Sequence, residues 1–148
     1  MSGDSCPMPA NERDPEASAI GRMISARRIA VVGLSDDSSR PSFGVASYLL
    51  SAGKEIIPVN PNHERVMGLK CYPSLSAVPK PIDVVDVFRR AEFCAEVVRE
   101  ATAAGAGGVW LQSGIINEEA RELALRAGID FVQNRCLMVE HMRHADSG

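Results

Sequence analysis

A polar loop that follows a short apolar run is the part of this sequence best suited to hold phosphate. The loop comprises residues 33–42 and comes after the apolar residues 29–32. Gly33 suits the tight first turn of a dinucleotide-binding fingerprint, whereas Ser35 and Ser38 stand where that fingerprint has its other glycines. Serine hydroxyls donate hydrogen bonds to phosphate but limit close approach of the backbone. The loop therefore predicts a phosphorylated ligand and weakens the nicotinamide interpretation.

The end of the same loop adds a cation and the start of a helix. Arg40 offers a charge-assisted contact to phosphate. Pro41 and Ser42 mark a helix N-terminus, where free amide groups attract anions. The alternative is a polar surface loop that binds nothing.

The residues after the second predicted strand lack a group that nicotinamide enzymes commonly use. Those enzymes place Asp or Glu there to hold the ribose hydroxyls, whereas this chain has Asn60, Pro61, Asn62 and His63. His63 or Arg65 would be able to face a phosphate on the ribose. The alternative is a loop shaped only by Asn-Pro turn chemistry.

Two further strand ends carry candidate ligand groups. Phe88, Arg89 and Arg90 end the third predicted strand, where cations suit an anionic ligand and a phenyl ring packs on adenine. The alternative is a solvated arginine pair beside a core phenylalanine. Gln112 and the backbone of 111–114 end the fourth strand and would line an extended arm of the ligand.

The remaining reactive residues form no recognisable site. Cys136 is predicted at a helix N-terminus, which favours the thiolate, and it is either a redox thiol or a structural cysteine. His141 and His144 are too few to hold a metal. The four cysteines contain no CxxC pair, which indicates reduced thiols. No nucleophile is paired with a general base, so catalysis is not indicated.

Strands and helices alternate along the chain, which predicts an α/β fold with a doubly wound parallel sheet. The predicted strands are residues 29–32, 55–59, 82–88, 108–111 and 129–132. We expect the Rossmann-like order 3-2-1-4-5, with helices on both faces and a ligand at the carboxyl ends beside the switch point between strands 1 and 4. In the helix predicted over 91–104, the buried stripe includes Phe93. Asn117 is predicted to cap the next helix, which ends at Gly128.

Composition and length limit the remaining possibilities. The 148 residues suit a single domain over 17–144, after a polar, proline-containing tail over 1–16 that we expect to be disordered. The net charge of −3 argues against nucleic-acid binding. No apolar run approaches the ~20 residues of a membrane span, and the N-terminus lacks the layout of a signal peptide, so we expect a cytoplasmic protein.

Six motifs in order resemble one family, the small stand-alone CoA-binding proteins, which are similar to the N-terminal CoA-binding domain of the succinyl-CoA synthetase α subunit. They occupy residues 31–35, 40–43, 58–61, 85–90, 109–112 and 134–136. The resemblance implies a Rossmann-like fold that binds coenzyme A or acyl-CoA. The phosphorylated histidine of the synthetase belongs to a second domain, so the ligase activity does not carry over.

The resemblance also implies a role for each strand end. The pyrophosphate would be held by Gly33, Leu34, Ser35, Arg40 and Ser42. Asn60, Pro61 and His63 would flank the adenosine and its ribose phosphate, although the synthetase has a lysine near the position of His63. Phe88 and Arg89 would border the adenine, and Leu111, Gln112 and Ser113 the pantetheine arm.

We therefore expect a non-catalytic module for CoA or acyl-CoA with a carrier, sensor or regulatory role. A small NADP-linked oxidoreductase or redox sensor, with Arg65, Arg89 and Arg90 on the 2′-phosphate, is the alternative. A third possibility is an interaction protein whose ligand site is vestigial. The physiological acyl group, the protein partners and the oligomeric state stay open.

Overall fold

The computed structural model describes residues 15–147 of the chain. Its first half contains α1 (Ala17–Ile24), β1 (Arg28–Val32), α2 (Pro41–Ser51), β2 (Glu55–Val59), β3 (Arg65–Val66) and β4 (Leu69–Lys70). Its second half contains β5 (Val84–Val87), α3 (Cys94–Ala103), β6 (Gly108–Leu111), α4 (Glu118–Ala127), β7 (Asp130–Val132) and α5 (Leu137–Ser147). Two short 3₁₀ turns lie at Leu75–Ala77 and Ala91–Phe93.

Five strands form a parallel sheet in the order β2-β1-β5-β6-β7, and β3 and β4 form a separate hairpin. The prediction of an α/β fold with a five-stranded parallel sheet is confirmed. The predicted order 3-2-1-4-5 is wrong, because the third strand of the sheet, β5, pairs with β1 rather than with β2. The switch point therefore lies between β1 and β5, as in the other common doubly wound order.

Pro58 explains why β2 is an edge strand. The carbonyl of Pro58 accepts a hydrogen bond from the Tyr72 amide on the outer side of β2. The Pro58 nitrogen faces the same side, where no further strand needs a donor. In the predicted order β2 would lie between two strands, and proline would remove one ladder bond.

The sheet is covered on both faces, as its uniformly buried strands require. Ala30, Val32, Val85 and Val87 belong to the core beneath α3 and α4. The alternate residues, such as Ile29 and Val31, belong to a second core beneath α1, α2 and α5. The carboxyl ends of all five strands consequently open at one edge, between two layers of helices.

Local signals placed most helix ends correctly. The Asn117 side chain accepts a hydrogen bond from the Ala120 amide, and Gly128 ends α4 with φ of 74°, so both predictions are confirmed. The predicted helix 91–104 instead begins with a 3₁₀ turn. That turn leaves Phe93 41% exposed, so its predicted place in the buried stripe is wrong.

The predicted tail of residues 1–16 lies outside the described residues, apart from Pro15 and Glu16. The Glu16 carboxylate accepts hydrogen bonds from the Gln133 amide and from Arg135 Nε. Glu16 thus contacts the loop after β7 and precedes α1 directly. Within residues 15–147, no helix has the length and apolar character needed to cross a membrane.

One carboxyl group lies entirely inside this fold. Asp86 is fully buried in β5, opposite Val31 and Trp110, and neither of its carboxyl oxygens has a hydrogen-bond partner among the described residues. Burial raises the pKa of Asp86 well above its ordinary value, because an apolar environment disfavours the charged carboxylate.

Replacing Asp86 with Val is expected to stabilise the protein at pH 7 by about 1–3 kcal/mol, because it removes an unsatisfied buried polar group. The unfolded chain releases this proton near pH ~4. The folded chain keeps it, so above pH ~4 the unfolded state binds fewer protons than the folded state. Wild-type stability therefore falls as the pH rises above this value. Urea unfolding of Asp86→Val should show a smaller gain at pH 4 than at pH 7.

Asp86→Asn is the matched control, because it keeps the size and polarity of the side chain but does not ionise. Asp86→Asn should also abolish the fall in stability between pH 4 and pH 7, but it should stabilise the protein less than Asp86→Val does. An equal effect of Asp86→Val at both pH values would contradict this account.

Candidate functional site

The loops after β1 and β5 touch at Gly33. The Gly33 amide donates to the Val59 carbonyl at 2.9 Å, and the Phe88 amide donates to the Val32 carbonyl at 2.9 Å. Gly33 has φ of +85°, and a Cβ at this position would lie 2.6 Å from the carbonyl oxygen of Phe88. Only glycine allows both the turn and this close approach.

The phosphate-binding candidates in the loop are held by one another. The Ser35 amide donates to Ser42 Oγ at 3.1 Å, and the Asp37 amide donates to Ser35 Oγ at 3.0 Å. The Ser39 hydroxyl and amide donate to Asp37 Oδ1 at 2.7 and 2.9 Å, and these bonds lower the pKa of Asp37. The loop is therefore pre-shaped by its own polar groups before any ligand arrives.

A cavity of about 310 Å³, which we call the loop cavity, lies between this loop and the start of α2. It is lined by Gly33, Ser35, Arg40, Pro41, Ser42 and Phe88. All six are predicted site residues. The Arg40 side chain is 69% exposed and lies 4.0 Å from Asp37, so its guanidinium group remains accessible. Ser42 is buried and accepts the Ser35 amide, so it positions the loop as well as lining the cavity.

A second cavity of about 360 Å³, the strand-end cleft, lies beside the loop cavity and shares Gly33 and Phe88 with it. Its walls come from the carboxyl ends of β1, β2 and β5 and from the start of α3. The predicted residues Asn60, Pro61 and Arg89 line it.

Sequence reasoning missed one aromatic side chain of the strand-end cleft. Phe93 lines the cleft, and the Arg89 guanidinium carbon lies 4.6 Å from the centre of its ring. Arginine and phenylalanine at this distance form a cation–π contact. The spacing of Phe93 in the sequence fits a buried helical stripe, so only the 3₁₀ turn reveals its exposure.

Asn60 joins the loops after β1 and β2. Its Nδ2 donates to the Leu34 carbonyl at 3.2 Å, and its Oδ1 accepts from the Asn62 amide at 2.9 Å. Leu34 is fully buried and lines none of these cavities; its side chain belongs to the core, and its carbonyl is the acceptor for Asn60. Asn60 therefore lines the cleft and also fixes the loops on either side of it.

A third cavity, of about 660 Å³, lies between the loop after β2 and the hairpin β3–β4, and we call it the hairpin cavity. It shares Pro61, Asn62 and Pro73 with the strand-end cleft. His63 lines this third cavity rather than the cleft. Cys71 also lines it; its thiol donates to the Asn60 carbonyl at 3.4 Å, and burial raises its pKa.

The three predicted residues at the end of β6 and just after it are not brought to these cavities. Leu111 is fully buried in the core. The Gln112 side chain accepts the Leu137 amide at 3.2 Å and so caps α5. Ser113 lines a separate cavity of about 680 Å³ at the ends of β6 and β7.

Cys136 and the two C-terminal histidines lie apart from the cleft. Cys136 is partly exposed and lines the same separate cavity as Ser113. His141 Nδ1 lies 2.8 Å from the Tyr48 hydroxyl oxygen, and burial together with Lys54 and His144 lowers the pKa of His141. Over residues 15–147, no three His, Cys, Asp or Glu side chains are grouped to hold a metal ion.

Comparison with known proteins supplies an independent line of evidence. A model of the CoA binding domain family matches residues 27–142. The chain is 38% identical over 130 residues to the uncharacterized protein YneT of Bacillus subtilis. This match covers 87% of this chain and 96% of YneT. It is 32% identical over 98 residues to acetate–CoA ligase [ADP-forming] II of Archaeoglobus fulgidus, a match that covers 65% of this chain and 15% of the ligase. The structure of a hypothetical protein from Pyrococcus horikoshii OT3 has a TM-score of 0.82 and 38% identity, covering 93% of this chain and 96% of that one.

Replacing Gly33 with Ala is expected to destabilise the fold by at least about 1–2 kcal/mol, the cost of a left-handed conformation for an L-residue. The contact with the Phe88 carbonyl adds to this cost. Gly44→Ala is the matched control, because Gly44 lies in α2 and no atom would lie within 4 Å of its Cβ. That variant should stabilise the helix by roughly 0.5–1 kcal/mol. Equal melting temperatures for the two variants would contradict the role of Gly33.

Proposed function

Since this chain belongs to the CoA-binding domain family, we propose that it binds coenzyme A or acyl-CoA at the carboxyl ends of β1, β2 and β5. The observation that carries this proposal is the meeting of the loop cavity and the strand-end cleft at Gly33 and Phe88. Both cavities open at the switch point of a doubly wound sheet, where such folds bind their ligands.

The loop cavity suits the pyrophosphate of CoA. Arg40 supplies an accessible cation, and Ser35 supplies a polar lining. Pro41 begins α2, so the first turn of that helix directs its positive end to the same place. Because the loop is already fixed by internal hydrogen bonds, little conformational entropy is lost on binding.

The far end of the strand-end cleft suits the adenine. Phe93 and the Arg89 guanidinium group form a cation–π contact there, both side chains are exposed, and Val97 adds an apolar contact. Glu96 and Glu100 line the same end and would repel a phosphate. This distribution of charge orients the ligand, with its base toward α3 and its phosphates toward α2.

We propose that the binding site contains no activated nucleophile. The Cys71 thiol faces the hairpin cavity, but burial raises its pKa and its proton is donated to a backbone carbonyl. A thiol held in this way is a poor nucleophile. We therefore propose a non-catalytic cytoplasmic module that carries CoA, senses it or regulates another protein in response to it.

Calorimetric titration of the full chain with CoA, acetyl-CoA, NADPH and ATP tests this function. We expect CoA and acetyl-CoA to bind and to raise the melting temperature. A ligand at 100 times its dissociation constant adds about 2.7 kcal/mol to the free energy of unfolding. Binding of NADPH without binding of CoA would overturn the proposal, and unchanged acetyl-CoA after incubation would support the absence of catalysis.

Phe93→Ala is expected to weaken CoA binding about tenfold, because stacking of a base on an aromatic ring contributes about 1–3 kcal/mol. Leu125→Ala is the matched control, since Leu125 is also a large exposed apolar residue but lies on α4 outside the three cavities. Equal affinities of the two variants would remove Phe93 from the adenine site.

A further inference from the structure

Cys136 is the one cysteine among residues 15–147 that is not buried. Cys71 and Cys94 are both buried, and burial raises the pKa of Cys94 to about 11. A thiol that is buried and keeps its proton reacts slowly with oxidants. Of the described cysteines, Cys136 is therefore the one that an oxidant can reach.

Cys136 lies in the wall of a cavity that is separate from the loop cavity and the strand-end cleft. This cavity of about 680 Å³, which we call the end cavity, lies at the ends of β6 and β7. Hydrogen bonds fix the backbone there: Trp110 Nε1 donates to the Arg135 carbonyl at 2.8 Å, and the Glu140 amide donates to the Cys136 carbonyl at 3.0 Å. A second thiol must therefore come to Cys136, because Cys136 is held in place.

The N-terminal segment enters the described fold at the same cavity. Glu16 lines the end cavity, and its carboxylate accepts hydrogen bonds from the Gln133 amide and from Arg135 Nε, each at 3.1 Å. Arg135 directly precedes Cys136 in the chain. The residue that anchors the N-terminal segment and the accessible thiol are thus held beside each other.

The N-terminal segment carries the fourth cysteine of the chain. Cys6 lies ten residues before Glu16, outside the described residues. A tether of ten residues spans at most about 33–36 Å. A short tether gives two linked groups an effective concentration in the ~mM range. The position of Glu16 therefore favours a reaction between Cys6 and Cys136 over a reaction between two chains.

The end cavity also offers an apolar surface to this segment. Ile116 and Val139 line the cavity and are 52% and 36% exposed. Met8 follows Cys6 closely and has a proline on either side. Proline restricts the residue before it to extended conformations, so less entropy is lost when such a segment is laid on a surface. Methionine adapts to irregular apolar surfaces, which suits Met8 to cover Ile116 and Val139.

We propose that Cys6 and Cys136 form a reversible disulfide that holds the N-terminal segment over the end cavity. The oxidant is a peroxide. The Cys136 sulfur attacks hydrogen peroxide and becomes a sulfenic acid as one water leaves, and the Cys6 sulfur then forms the S–S bond as a second water leaves. Two thiols are oxidised and one peroxide is reduced to two waters. The site goes beyond the proposed function, because neither cysteine lines the proposed CoA site.

Peptide mapping of the oxidised full chain tests this proposal. The chain is treated with hydrogen peroxide at low protein concentration, alkylated in urea, and digested with trypsin without reduction. We expect one cross-linked species, in which residues 1–13 are joined to residues 136–143. Cys71 and Cys94 should be recovered as alkylated thiols. A thiol reductant should release both peptides.

Single substitutions supply the matched controls. Cys6→Ser and Cys136→Ser should each abolish the cross-link, whereas Cys94→Ala removes a buried thiol and should leave it intact. Met8→Asp should slow formation of the cross-link, because a charged group cannot cover an apolar wall without cost. Ser2→Asp adds the same charge farther from the apolar position and should leave the rate unchanged.

A comparison of the folded and unfolded chain separates proximity in the fold from chance encounter. The double variant Cys71→Ala/Cys94→Ala leaves only the proposed pair of thiols. Unfolding lengthens the tether between them from about 10 to about 130 residues, and effective concentration falls roughly as the −3/2 power of length. The cross-link should therefore form about 50-fold more slowly in concentrated urea than in buffer.

Several outcomes would overturn the proposal. These are the absence of the cross-link between Cys6 and Cys136, cross-links scattered over Cys71 and Cys94, disulfides formed only between two chains, and equal rates in urea and in buffer. Each of them would leave CoA binding untouched, because the proposed CoA site uses neither member of the pair.

Discussion

The contact between Gly33 and the Phe88 carbonyl is the constraint on which the site depends. Because β1 and β5 are neighbours and the chain leaves them in different directions, their loops diverge from a common point. Gly33 lets the two backbones meet there, and each loop then bounds one side of the crevice. The loop cavity and the strand-end cleft both begin at this contact, so displacement of the two loops would alter both cavities together.

Polar residues of the loop after β1 either fix the shape of the loop or stay accessible to a ligand, and the sequence alone does not distinguish these two roles. Its serines were expected to face phosphate, but Ser35 and Ser42 also hydrogen bond within the loop and fix its shape. Arg40 remains the accessible charged group. Asn60 has a similar positioning role at the end of β2. Polar side chains thus form hydrogen bonds to the backbone of the site, and their remaining donors are available for a ligand.

Short-range patterns predicted the five strands of the main sheet and the caps at Asn117 and Gly128. They failed where the answer depended on tertiary packing. The order of the strands depends on how the long connection between β2 and β5 crosses the sheet, although Pro58 was a usable sign that β2 lies at an edge. Phe93 has helical spacing, but a 3₁₀ turn rotates it outward. Leu111 and Gln112 have suitable residue types at a strand end. The Leu111 side chain is nevertheless buried in the core, and the Gln112 side chain caps α5.

The two edges of the main sheet have a consequence for how this domain meets other proteins. On the outer side of β2, Pro58 offers no donor and Tyr72 already occupies its carbonyl. At the other edge, β7 has only three residues, and the Asp130 carboxylate at its start is bound by Arg22 of α1. Neither edge presents the long row of free donors and acceptors that an incoming strand needs. The fold thus disfavours growth by strand addition, and lasting association with another chain would have to use its helices and loops.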